Sequence, residues 1–254
     1  PFHAGTAQYN CPIPSDAHDN MISRGWTITD GGIIPCSEFK MTIDTTQPGS
    51  AADTFVLPLQ STTNNFVIDW GDGNSETVTS VTSVSHTYAS GGTYQISLDG
   101  SFDGIQFRNL STPDRLKLSS IDNWGTNQWI SMKDAFWGCN NMVGTYTDNP
   151  DTLLCTDMSK AFASCTNFNS LLVINAPLVT TLSQTFLYCT NFNQPITFNI
   201  PLAQDVYQIL GSCPNFNSPV ELTTGPALIN ISRMFQSCYA FNKSVNISNT
   251  SNVQ

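Results

Sequence analysis

The stretch SQTFLYCTNFNQP, Ser183 to Pro195, contains a phrase, CTNFN, that already stands one period earlier as CTNFNS at Cys165–Ser170. Both copies belong to a series: Cys139, Cys165, Cys189, Cys213 and Cys238 are separated by 26, 24, 24 and 25 residues. Such a period falls in the range of solenoids, whose coils cannot bury their apolar sides alone and so stack on one another. Three residues before each cysteine stand Phe136, Phe162, Phe186, Leu210 and Phe235. Four before those stand Met132, Met158, Leu182, Val206 and Ile231, and three after each cysteine come Met142, Phe168, Phe192, Phe216 and Phe241. Spacings of 4, 3 and 3 predict one face of a short helical turn packed inward. The runs LLVI, QPITFNI, SPVEL and KSVNI that follow predict one strand per coil in a narrow parallel sheet. Asparagines keep the same register, at Asn141, Asn167, Asn191 and Asn215 and again at Asn169, Asn193, Asn217 and Asn242. Stacked in register, they form an amide ladder that satisfies backbone groups at the corners.

Each column cysteine then reads as a small, nearly apolar filler: a buried free thiol in a close-packed interior. Bridges between adjacent coils are the alternative, and five members leave at least one unpaired. Metal binding needs converging thiolates, usually as CxxC pairs with histidine nearby, and the sequence has neither. Cys155 stands outside the series, and Cys11 and Cys36 flank a segment short enough for one disulfide.

FNQP, FNSP and MFQSCYAFNKS, with SNV near the end, resemble the BspA-like bacterial surface form of the leucine-rich repeat and its phrase MFxxCxxFNQPL … SNV. The resemblance spans about residues 120 to 254; the usual intercoil DTSNVTNM survives only as TDMSKAF and NTSNVQ. It implies a non-enzymatic extracellular scaffold, of the kind found on bacterial surfaces and in phage or viral appendages.

Upstream the grammar changes. FKMTIDT, DTFVLPL, NFVIDW, TYQISLDG, IQFRNL and DRLKLSSI are short alternating runs separated by Thr, Ser and Gly, which predict a β-sandwich of about seven strands. Asp72-Gly73-Asn74 supplies a left-handed hairpin turn, and Trp70 before it is a core filler. Trp70, Gly71, Asp72, Gly73, His86, Thr87, Tyr88, Gly92, Thr93 and Tyr94 together resemble the WGDG … HTY … GTY phrase of PKD-type immunoglobulin-like domains, which implies a spacer that presents other modules. Asp69, Asp72, Asn74 and Glu76 are the residues a calcium ion would use, although EF-hand spacing is absent and turn acids usually face water. His86 reads as a hydrogen-bonded structural imidazole. In the first 35 residues Ser15 caps a short helix that ends near Gly25, and a strand, WTI, follows. That order resembles the capping unit of a repeat array. The expected organisation is a cap-like segment at 1–35, a PKD-like sandwich at 36–122 and, at 123–254, a right-handed leucine-rich-repeat-type solenoid of about five coils. The fold class is mainly β with short helices.

Chemistry is sparse. Nine basic against nineteen acidic residues give a net charge of -10, which repels phosphate backbones and argues against nucleic acid. No apolar run reaches the length of a membrane span. Three histidines, His3, His18 and His86, all precede the repeats, and no GxSxG, HExxH, phosphate-loop or dinucleotide fingerprint occurs. No cofactor is expected. Asp148, Asp151 and Asp157 read as a solvated loop, with a glycosidase pair as the minor alternative. Asn-x-Ser/Thr sequons at Asn109, Asn230, Asn242, Asn246 and Asn249 arise readily by chance in so Asn-rich a chain. Trp137, Tyr146, Tyr188, Tyr207 and Tyr239 occupy variable slots and form the candidate binding surface, because exposed aromatics give contact area at small entropic cost. The expected function is a non-catalytic extracellular or virion-surface adhesion module for a protein or glycan on another cell or particle. A structural subunit of a filament or viral appendage, with copies joined end to end, is the alternative.

Overall fold

The computed structural model describes residues 2–3, 28–29, 37–108 and 114–253. The helix expected after Ser15 and the Cys11–Cys36 disulfide fall outside those residues. In the N-terminal segment β1 (Phe2–His3) pairs in parallel with β2 (Ile28–Thr29).

Seven strands follow: β3 (Phe39–Asp44), β4 (Thr54–Pro58), β5 (Asn65–Asp69), β6 (Ser75–Thr79), β7 (Ser83–Thr87), β8 (Thr93–Ser101) and β9 (Leu118–Asn123). Period-two alternation decides their faces: β3 turns Phe39, Met41 and Ile43 inward and puts Lys40, Thr42 and Asp44 on the opposite, half-buried face. The hairpin between β5 and β6 closes where Trp70 donates its N–H to the Asn74 carbonyl, with Gly71 and Gly73 at φ 78° and 91°, a conformation that side chains resist. The expected strand in IQFRNL does not form. In its described part Ile105 makes one isolated bridge, to Leu59, and Phe107 donates its N–H to the Ala135 carbonyl, so the segment joins the layer that follows it.

β9 is shared by two structures. It pairs antiparallel with β3 and in parallel with β10 (Val143–Gly144), giving a six-stranded sheet in the order β10-β9-β3-β8-β5-β6, with β4 and β7 as a separate antiparallel pair. The expected boundary at 122/123 therefore falls inside a strand. Beyond it the coils are a β-solenoid of about five turns, whose strands β11 (Val173–Asn175), β12 (Ile196–Ile200), β13 (Val220–Thr224) and β14 (Val245–Ile247) pair in parallel and in sequence order. β12 and β13 alternate buried and exposed, so Ile196, Phe198, Ile200, Val220 and Leu222 face the interior.

The short helices expected around each cysteine are absent from the described residues, where one 3-10 turn, Asp114–Leu116, is the sole helical element. In their place each coil runs through linked turns. Five residues before the cysteines, Asp134, Lys160, Gln184, Gln208 and Arg233 all have positive φ, and one residue before them so do Gly138, Ser164, Tyr188, Ser212 and Ser237. A left-handed residue every fourth position breaks helix propagation and turns alternate N–H groups outward to the next coil.

One core runs through the whole described chain, from Phe39 to Cys238. Phe39 touches Trp124 and Trp129, with ring centroids 6.0 and 5.6 Å apart, and Trp124 meets Phe136 at 5.8 Å, so aromatic packing crosses from the antiparallel strands into the coils. Within the solenoid the rings stack in files: Phe136, Phe162 and Phe186 at 5.3 and 5.4 Å, and Phe168, Phe192 and Phe216 at 6.0 Å each. A buried polar clasp ties residues 114–117 to residues 50–56 within the antiparallel-strand region. Lys117 Nζ, fully buried, donates to the carbonyls of Ala51 and Thr54 at 2.8 and 2.6 Å and to Ser50 Oγ at 2.9 Å, while Asp114 accepts the Ser50 and Val56 N–H groups. Burial lowers the lysine pKa, and the Asp114 carboxylate opposes that shift.

Candidate functional site

The turn segments form the outer wall opposite the parallel sheet, and their backbone holds the coils together. The N–H groups of Met158, Lys160, Phe162 and Ser164 donate to Thr181, Ser183, Thr185 and Leu187 of the next coil, at 2.7 to 3.0 Å. Leu182, Gln184, Phe186 and Tyr188 repeat the pattern onto Asp205, Tyr207, Ile209 and Gly211. The intervening N–H groups close turns within their own coil, as Ala161 does onto Met158 and Cys165 onto Phe162. Each segment starts from a side-chain turn: Ser131, Asp157, Thr181, Asp205 and Asn230 accept the N–H two residues on. The column of Ser, Asp, Thr, Asp and Asn is a readable signal that the cysteine and phenylalanine columns overshadow. The second asparagine register forms the expected ladder, with Asn193, Asn217 and Asn242 each donating a backbone N–H to the side-chain oxygen of the Asn one coil back.

The column cysteines are buried free thiols. Cys165, Cys189 and Cys213 donate S–H to the carbonyls of Phe136, Phe162 and Phe186 at 2.9 to 3.0 Å, and Cys238 donates to Leu210 at 2.9 Å. Each of those carbonyls belongs to the preceding coil, and those of Phe136, Phe162 and Phe186 also accept the N–H of Cys139, Cys165 and Cys189 in the local turn, so the thiol takes a second lone pair. Desolvation pushes the thiols of Cys139, Cys165 and Cys189 well above the ordinary range and that of Cys213 up to about 12. Cys155, off the column, is buried too and is raised to about 11 by the same cause. Thiols held protonated in this way are poor nucleophiles and poor metal ligands.

The five candidate aromatics occupy different registers and separate environments. Trp137 lies under the guanidinium groups of Arg115 and Arg108, at 5.2 and 5.7 Å from the ring centre. Tyr146 is half-buried against Trp124 at 5.4 Å, and burial raises its pKa. Tyr207 accepts a hydrogen bond from Arg233, whereas Tyr188 and Tyr239 stand 54% and 84% exposed. Among the described residues no ring contact joins any two of the five.

The acidic stretch is engaged in backbone recognition. Asp148 accepts the N–H groups of Trp124 and Gly125 at 2.8 to 3.0 Å, Asp151 that of Leu153 and Asp157 that of Ser159. At the turn acids that a calcium ion would use, Asp69 accepts the Gly71 N–H, Glu76 the Trp70 indole N–H, and Asp72 bonds Asn74 and His86. His86 stacks on Trp70 at 5.0 Å and 13°, a structural imidazole. Burial would raise the Asp72 pKa, but the hydrogen bonds from His86 and Asn74 outweigh it and leave it lowered. Among the described residues no group of three His, Cys, Asp or Glu side chains is arranged to hold a metal ion, and no helix is long and apolar enough to cross a membrane.

No curated protein and no solved structure matches the chain. The family model that does match begins at residue 104, next to Ile105 and Phe107, where the first turn layer is built. Matched over residues 104–174 and 156–254, more than half its length, the chain belongs to the family described as Mycoplasma protein of unknown function, DUF285.

Proposed function

We propose that the chain is a non-catalytic, surface-exposed extracellular module that binds a protein or glycan on another cell or particle. The observation that carries this reading is the contrast between the two sides of each turn segment. Inward positions repeat from coil to coil, while the left-handed column beside them, buried at Asp134 in the first coil, then changes from Lys160 to Gln184, Gln208 and the exposed Arg233 on an unchanged backbone. A fixed frame with interchangeable outward side chains suits recognition. Family membership and the BspA-like phrase support a surface location, and the engaged carboxylates of Asp148, Asp151 and Asp157 support a role other than hydrolysis. We read the coils as leucine-rich-repeat-type and residues 36–122 as a PKD-like spacer; the Trp70, His86 and Tyr88 cluster supports the latter.

The test is binding of the purified chain to arrayed glycans and immobilised extracellular proteins, with polysaccharide hydrolysis assayed in parallel. The reading expects saturable binding without turnover. Hydrolysis that disappears in Asp148→Asn or Asp151→Asn overturns it. The second reading is a structural subunit of a filament or viral appendage. Light scattering separates the two: a concentration-independent monomer supports display, and fibres support assembly.

A further inference from the structure

On a chain of net charge -10, basic side chains gather on one wall. Five of the nine basic residues, Arg108, Arg115, Lys133, Lys160 and Arg233, belong to the turn layers or pack on them. Three carboxylates share that wall, and all are engaged: Asp134 with Arg108 at 3.3 Å, Asp157 with the Ser159 N–H and Lys133, and Asp205 with the Tyr207 N–H and the Asn230 amide. Among the described residues neither Lys160 nor Arg233 has a carboxylate within ion-pair distance. Four rings lie on the turn segments in different registers, Tyr188 and Tyr239 exposed and Tyr207 and Trp137 half-buried. Tyr188 and Tyr239 adjoin the column cysteines, Tyr207 meets Arg233, and Trp137 lies beneath its two guanidinium groups. Gln184, Gln208 and Gln236 run between them as a hydrogen-bonded amide row along the stacking axis.

Resting on the reading of the chain as a binding module, we propose that this turn wall binds a linear anionic polysaccharide along the solenoid axis. Its carboxylate or sulfate groups meet Arg115, Lys160 and Arg233, its hydroxyls meet the glutamine row, and its sugar rings lie on Tyr188, Tyr207 and Tyr239. The spacing of the cations selects this class of partner. Lys160 and Arg233 stand three coils apart in one column, about 14 Å at a coil spacing of about 4.8 Å, which suits a chain whose charges are separated by apolar sugar faces. A nucleic acid carries one charge per roughly 1.7 Å of duplex and meets the long-range repulsion of the remaining acidic surface.

The experiment measures retention of the full chain on heparin, on polygalacturonate and on neutral dextran, and in solution against a single-stranded oligonucleotide. The variant is Lys160→Gln with Arg233→Gln, which installs at both places the residue that neighbouring coils hold at Gln184 and Gln208, so the backbone is already known to accept it. Expected is salt-sensitive binding to heparin or polygalacturonate, weakened about tenfold in the double variant and further in Tyr188→Ala, with thermal unfolding unchanged. Preference for heparin assigns sulfate, and preference for polygalacturonate assigns carboxylate. Equal retention on dextran, equal affinity for the oligonucleotide, or indifference to the double variant overturns the proposal. If the variant binds a neutral glycan or a protein as the parent does, the anionic assignment falls and the binding-module reading stands; if nothing in either panel binds, both fall.

Discussion

At the scale of the residue, the period reports a hydrogen bond as much as a volume. A cysteine fits because the sulfur is small enough for the close approach of two coils and its S–H reaches the carbonyl of the coil before. Cys189→Ala removes both the filler and the donor, and chemical denaturation is expected to show a loss of about 1–3 kcal/mol. The same site gives an alkaline signature. The folded-state pKa is raised, so the stabilisation is complete below the unfolded value, near 9.0, and is lost as pH climbs through and above it, where the unfolded chain releases the proton first. Stability is expected to fall above that pH, with a slope one proton shallower in Cys189→Ala; an unchanged slope contradicts a buried thiol. Lys117 tests the buried clasp of the antiparallel-strand region. Lys117→Met leaves the Asp114 carboxylate buried without its cation, and an equilibrium melt is expected to show a cost of about 3–5 kcal/mol.

At the scale of the element, the structure separates what the pattern specifies from what it leaves open. Columns of Phe, Cys and β-branched residues report burial and period, so the coils, their number and their parallel strands were legible. The local backbone was not. Spacings of 4, 3 and 3 suit a helix and a chain of turns equally, since both bring the same side chains inward, and the difference lies in two φ angles per coil. Only Gly138 marks a left-handed position in the sequence; Ser164, Tyr188, Ser212 and Ser237 occupy the equivalent place without advertising it, because the intercoil hydrogen bonds hold them there. Ser164→Gly is therefore expected to be neutral or to raise stability by up to about 1 kcal/mol. Gly138→Ala is expected to destabilise, since its φ is 74° and a Cβ would lie 2.8 Å from Arg115 Cδ. Thermal melts of both read the sign. The candidate aromatics were legible as variable and not as separated: the register of Trp137, Tyr188 and Tyr239, two before, one before and one after their cysteines, already put them in different files. The basic wall escaped notice because its members are scattered along the chain and converge only when the coils stack.

At the scale of the molecule, the antiparallel strands and the coils share β9, an aromatic junction and one uninterrupted interior. Residues 37–253 are expected to unfold as one cooperative transition, with tryptophan fluorescence, reporting Trp124 and Trp129 at the junction, coincident with far-ultraviolet dichroism. Two separated transitions contradict the shared core. The display surface depends on that interior, since side chains on the turn wall keep their spacing only while each coil is anchored to the next. The most direct test maps thiol labelling residue by residue by mass spectrometry, in native buffer and in denaturant without reductant. The account predicts that Cys139, Cys165, Cys189 and Cys213 stay unmodified in the native chain, that Cys238, 9% exposed in the last coil, reacts before them, and that all five label once unfolded. Rapid native labelling of the four inner cysteines, or their failure to label in denaturant, contradicts it.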